Sequence, residues 1–225
     1  MPAILRGQLL EPCWQGMRFN LRPAMVLQAF ALAIVFGYFW STQIHDALDV
    51  VGAMKARYGY VYSAVATCIF GGLIPYGVLS LAGRISKQRR WGELAFYLTL
   101  WFWKGIEVDA LYRAQTWWFG EGASVGTIAV KTAVDQFVYV PLWSAPIQVL
   151  LFTWKDAGFS ALVTRAAFAR QAFALRALVV VFSTWVVWIP AVALVYSLPS
   201  ALQVPLFNLV LCFWCLLMSF ISRES

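Results

Sequence analysis

Residues 131–146 read "KTAVDQFVYVPLWSAP". The stretch lies inside a run apolar enough to cross a bilayer, yet it opens with Lys131, Asp135 and Gln136 and carries Pro141 and Pro146 further on. A lone Asp or Lys near the centre of a membrane helix costs roughly 2.5–3.5 kcal/mol on the insertion scale. A chain that keeps such residues there must offset the cost, and opposite charges at helical spacing are the first means of doing so.

Composition supports the membrane reading. The 225 residues are 62% hydrophobic and 12% charged, about half the charged fraction of an ordinary soluble domain, which is near 25%. Six stretches approach the roughly 20 mostly apolar residues that a membrane helix needs: 23–44, 60–83, 92–118, 127–152, 173–197 and 203–222. The expected fold is therefore an all-α, polytopic transmembrane bundle of about six spans. Residues 1–55 form an N-terminal interfacial segment plus one span, and 56–225 form a helical membrane domain. The first 22 residues lack the long apolar core and small-x-small site of a cleavable signal, and offer Ile4, Leu5, Leu9, Leu10 and Trp14 to a membrane surface. Twelve Trp and nine Tyr suit a chain that meets many bilayer–water interfaces.

Charge in the loops alternates. Arg6, Arg18 and Arg22 precede the first span, Arg84, Lys87, Arg89 and Arg90 follow the second, and Lys155, Arg165, Arg170 and Arg176 follow the fourth. Between these, Lys55 and Arg57 are balanced by Asp46 and Asp49, "FGEGASVG" holds only Glu121, and "LPSALQ" holds no charge. By the positive-inside rule both termini face the cytoplasm or its equivalent. The last two spans form a tight hairpin or one long broken helix, and Pro199 and Pro205 favour the break. The net charge of +7 sits in these short clusters, so the basic partner is an anionic leaflet rather than nucleic acid.

Other residues have plainer readings. Pro75, Pro141, Pro146 and Pro190 fall within spans and are expected to kink them. "GGLIPYG", beginning at Gly71, offers small residues for close helix packing. Cys212 and Cys215 have CxxC spacing within an apolar helix, which reads as packing, and His45 is the sole histidine, so no multi-histidine metal site is expected within one chain. No catalytic constellation is legible, the chain is expected not to be an enzyme, and its cofactors are unknown.

The charges within spans all have opposite neighbours: Lys104 with Glu107, Asp109 with Arg113, and Lys131 with Asp135. The first two pairs point to nearly opposite helix faces. If the third and fourth spans pack antiparallel, Asp109 is level with Asp135 and Arg113 with Lys131, and diagonal pairs close a four-charge cluster. With Gln136 beside it, that cluster is either the lining of a pore or a clamp between helices.

The run "KTAVDQFVYVP" resembles the Lys-x-x-x-Asp-Gln-x-x-x-x-Pro signature of the family containing the 22-kDa peroxisomal membrane protein and its mitochondrial inner-membrane relatives. Trp188, Pro190, Pro199, Asn208, Trp214 and Ser219 are similar to the order of its C-terminal pattern. The resemblance covers about residues 60–222, which makes the chain look like a divergent member with an additional first span. The family's Gln and Asn-Phe after Trp-Pro are missing from "AVALVYS", Gln203 most nearly meets its later Arg, and Ile74-Pro75 replaces its Gly-Asp. The resemblance implies a small helical membrane protein of a family associated with weakly selective pores for small solutes.

Two functions are thus expected. One is a pore or transporter-like protein, a homo-oligomer in the lipid bilayer, in which Lys131 and Arg113 attract anions while Asp135, Asp109 and Glu107 hold those cations. The other is a non-enzymatic structural or accessory subunit of a larger membrane complex. A bacterial cytoplasmic membrane is the favoured location, with an organellar inner membrane as the alternative.

Overall fold

The computed structural model describes residues 3–86, 88–170 and 173–221, with the side chains of 3–10, 169–170 and 217–221 left out. The membrane-surface reading of Ile4, Leu5, Leu9 and Leu10, the loop cations Arg6, Lys87 and Arg170, the match at Ser219 and the last-span end at 222 lie outside the described side chains or residues. Among the described residues the secondary structure is helical, without strands: α1 (Ala3–Trp40), α2 (Thr42–Tyr58), α3 (Tyr60–Leu81), α4 (Arg90–Phe119), α5 (Val125–Asp156), α6 (Ala161–Arg170), α7 (Phe173–Tyr196) and α8 (Ser200–Ile221).

Among the described residues four helices are long and apolar enough to cross a membrane: Glu11–Trp40 of α1, and α3, α5 and α7. Two stretches differ from expectation. One concerns the start of the first span, expected at residue 23: α1 begins well before it and runs unbroken through Pro12 and Pro23. The stretch after it, expected as a loop, is the 17-residue α2. Ser41 caps α2 by accepting the Ile44 N–H at 3.4 Å. Gly59 ends it at φ +54°, a conformation that suits glycine, and donates its N–H to the Lys55 carbonyl at 2.9 Å. The segment reads as a loop because its pattern is inverted: Val50 and Met54 are exposed while Gly52 and Lys55 are buried.

Prolines widen two of the helices, whereas α7 and α8 continue as α-helix through Pro190 and Pro205. Within α3 the residues Cys68–Leu73 are π-helical, just ahead of Pro75, and within α5 the π-helical stretch is Asp135–Ser144, which contains Pro141 and precedes Pro146. The Ile74 N–H reaches back to the Ile69 carbonyl and the Ala145 N–H to the Val140 carbonyl, both spans of five residues. A proline ring crowds the carbonyl four residues back and supplies no N–H, and the wider turn relieves the crowding.

The chain divides into two compact units, one made of the described residues up to Met25 with Thr132–Pro190, the other of Val26–Lys131 with the described residues from Ala191. In the first, a Cβ on Gly16 would collide with Ser183, and the Asn20 amide donates to the Ser183 carbonyl at 3.0 Å. The two helices approach closely there because Gly16 lacks a side chain. The Trp185 indole N–H donates to the Gln136 carbonyl at 2.9 Å.

In the second unit α3 packs on α4, and α8 packs on α2, α3 and α4. Gly105 sets the α3–α4 approach: a Cβ there would lie 2.8 Å from the Ser63 carbonyl carbon and 2.9 Å from the Ala64 Cα. A Cβ on Gly71 would lie 2.7 Å from Leu211 and 2.8 Å from Trp101, and one on Gly72 3.1 Å from the Tyr97 carbonyl oxygen, whereas nothing lies within 4 Å of a Cβ on Gly77. Phe30 stacks on Phe213 with ring centroids 4.7 Å apart.

A buried charged seam as candidate functional site

One face of α4 buries Gly105, Val108, Asp109, Tyr112 and Gln115, spaced three and four apart as a helix face requires. The face is half polar, and its neighbours in the same unit are polar too. Asp109, with no exposed surface, accepts from Lys55 Nζ at 2.8 Å, Ser63 Oγ at 2.7 Å and Arg113 Nε at 2.9 Å. The guanidinium of Arg113 lies 4.6 Å from the centroid of the Tyr60 ring. One carboxylate thus holds two cations, and the group carries a net positive charge.

Three residues further along the seam, Tyr112 meets Tyr196 edge to face at 5.2 Å. Gln115 then donates its amide to the Tyr196 hydroxyl at 2.6 Å, and Lys131 places its ammonium 5.8 Å from the centroid of the same ring. Gln115, Lys131 and Tyr196 are 0%, 1% and 2% exposed. On the α3–α8 side, Thr67 donates to Asn208 Oδ1 at 2.7 Å. Gln115 Oε1, Asn208 Nδ2 and Gln203 Oε1 are buried without a hydrogen-bond partner. A buried amide atom in that state costs about 1–3 kcal/mol unless water or a ligand meets it.

The residues expected from sequence fall into three groups. Lys104 with Glu107, at 2.7 Å, and Asp109 with Arg113 form the neighbour pairs expected of them. The diagonal Asp109–Lys131 pair is not formed, because Asp109 is already filled by Lys55, Ser63 and Arg113, and Lys131 is drawn to Tyr196 instead. Asp135 and Gln136 belong to the first unit, where Asp135 Oδ1 accepts from the Gln136 amide at 2.9 Å and Gln136 offers its carbonyl to Trp185.

Lys55, Ser63, Gln115 and Tyr196 are members of the seam that sequence reading missed. Gln115 and Tyr196 were legible as polar residues one or two turns from Asp109 and at the end of an apolar span. Among the described residues no three His, Cys, Asp or Glu side chains gather as a metal site. No family model, curated protein or solved structure matches the chain.

Proposed function

We propose that the chain is an integral membrane protein of six spans, both termini on the cytoplasmic side, that provides a weakly selective route for small polar solutes. The four apolar helices are joined as spans by α4 and α8. At 1.5 Å per residue the 30 residues of α4 reach about 45 Å, ample for a bilayer core, and ion pairing lowers the cost of its charges. The alternation of basic loops supports the orientation, and it puts the seam toward the outer ends of α3, α4 and α8.

The observation that carries the reading is Gln115. It is fully buried, one amide atom has no partner, and it stands on a seam with more cations than carboxylates. Such a seam is costly in a dry, closed packing and natural along a path that water or solute enters. The resemblance around Lys131, Asp135, Gln136 and Pro141 supports the same reading. A six-helix chain leaves little room for a wide lumen, so a homo-oligomer in a bacterial cytoplasmic membrane is the proposed working form.

A second reading, an accessory subunit of a larger membrane complex, is favoured by Asp109, whose carboxylate is filled by three donors in the manner of a structural clamp. The test is efflux of solutes graded in size from phosphatidylcholine liposomes containing the purified protein. Release that exceeds protein-free liposomes and falls with solute size supports the route. Tight liposomes with a folded protein support the subunit reading, and co-purification from native membranes then identifies its partners.

A further inference from the structure

We propose that Lys131, Gln115 and Tyr196 form a binding site for one small monovalent anion, which makes anions the preferred solutes of the route. The transport meaning rests on the pore reading above; the binding itself does not.

Lys131 is almost wholly buried, and within its unit no carboxylate among the described residues comes within 4 Å of its ammonium. Glu121, exposed in the turn before α5, attracts it only from farther away. The face of Tyr196 returns a small part of the hydration that burial removes. A buried ammonium needs a counter-charge. The carboxylate of the seam is committed: Asp109 already serves Lys55 and Arg113. Three cations, Lys55, Arg113 and Lys131, thus stand along the seam against one carboxylate.

Gln115 supplies the second donor. Its amide now gives Nε2 to the Tyr196 hydroxyl and leaves Oε1 without a partner. Turned over, the same amide accepts the Tyr196 proton at Oε1 and presents an N–H. An ammonium over the ring and an amide N–H at the hydroxyl of the same phenol suit chloride or a small carboxylate and repel a cation. One uncompensated lysine neutralises one negative charge, hence a monovalent ligand. Asp135, one turn along the same helix, is the internal competitor for that lysine.

The test is equilibrium binding of radiolabelled chloride and, separately, radiolabelled acetate to the full chain in nanodiscs of phosphatidylcholine, which supplies no anionic headgroup. Saturable binding of either probe to wild type is expected, weakened about tenfold or more in Lys131→Gln and restored to within a few fold in Lys131→Arg, as for loss and return of a charged hydrogen bond. Asp135→Asn should bind more tightly than wild type.

Chloride alone would mark a halide-sized site, and acetate alone a carboxylate site. No saturable binding to folded wild type overturns the proposal, as does binding that survives unchanged in Lys131→Gln. Binding seen only in Asp135→Asn overturns it too, since the carboxylate is then the natural counter-charge. The flux assay separates the two ideas: binding without efflux keeps the site and removes the pore, while efflux without binding keeps the pore and removes the site.

Discussion

Trp185 donates its indole N–H to the main-chain carbonyl of Gln136, an acceptor that Pro141 leaves open. In a helix widened to five-residue spacing, the partner of that carbonyl is the N–H of residue 141, and proline has none. The side chain of a neighbouring helix takes its place. Trp185→Phe should therefore lower stability by about 1–3 kcal/mol, the cost of a buried acceptor without a donor. Pro141→Ala restores an amide and should make the Trp185→Phe change nearly silent. A double-mutant cycle by thermal unfolding in detergent checks this, and additive losses would contradict it.

Gly105 admits no side chain. Gly105→Ala drives a Cβ into the main chain at Ser63 and Ala64, and overpacking of this kind costs about 1–3 kcal/mol. Gly77→Ala, where nothing lies within 4 Å, should stay within about 0.5 kcal/mol of wild type. Unfolding midpoints of the two variants in the same detergent make the comparison, and equal effects would mean that the α3–α4 approach is not set by Gly105.

The Asp109 group is asymmetric, with two cations on one carboxylate. Asp109→Asn strands Lys55 in a buried place and should cost about 3–5 kcal/mol, whereas Lys55→Met leaves Asp109 with Arg113 and Ser63 and should cost less. Because the side chain of Arg113 is 46% exposed, Arg113→Gln should cost least of the three. Denaturation in detergent ranks them, and a larger loss from Arg113→Gln than from Asp109→Asn would contradict the arrangement.

Much of the architecture is legible in the sequence because apolar length is a strong signal: 60–83, 127–152 and 173–197 match α3, α5 and α7 closely. The neighbour pairs on α4 follow from spacing alone, since residues three and four apart must meet on a helix. The partner of Asp109 across helices does not follow from spacing. Antiparallel register sets only the depth of a residue, whereas Asp109 takes its cross-helix donors, Lys55 and Ser63, from α2 and α3. Lys55 was hidden for a related reason. A helix whose apolar residues face outward and whose lysine faces inward reverses the usual pattern, so the stretch from Asp46 to Arg57 reads as a charged loop. The π-helical stretches were foreshadowed only as kinks at prolines, because a single sequence gives the cause of the distortion and not its form.

The proposed route requires that the seam from Asp109 to Gln115 and Tyr196 be wetted from the membrane's outer side. The most direct measurement is the reaction of Gln115→Cys with a membrane-impermeant, charged methanethiosulfonate reagent in sealed liposomes, in a chain whose Cys13, Cys68, Cys212 and Cys215 are changed to alanine. Phe102→Cys, on an exposed and apolar part of α4, serves as the comparison. A wetted seam labels at Gln115→Cys, faster with an anionic than with a cationic reagent, while Phe102→Cys stays unreactive in lipid. Labelling of neither residue in a folded protein would contradict a route and leave the seam as a clamp.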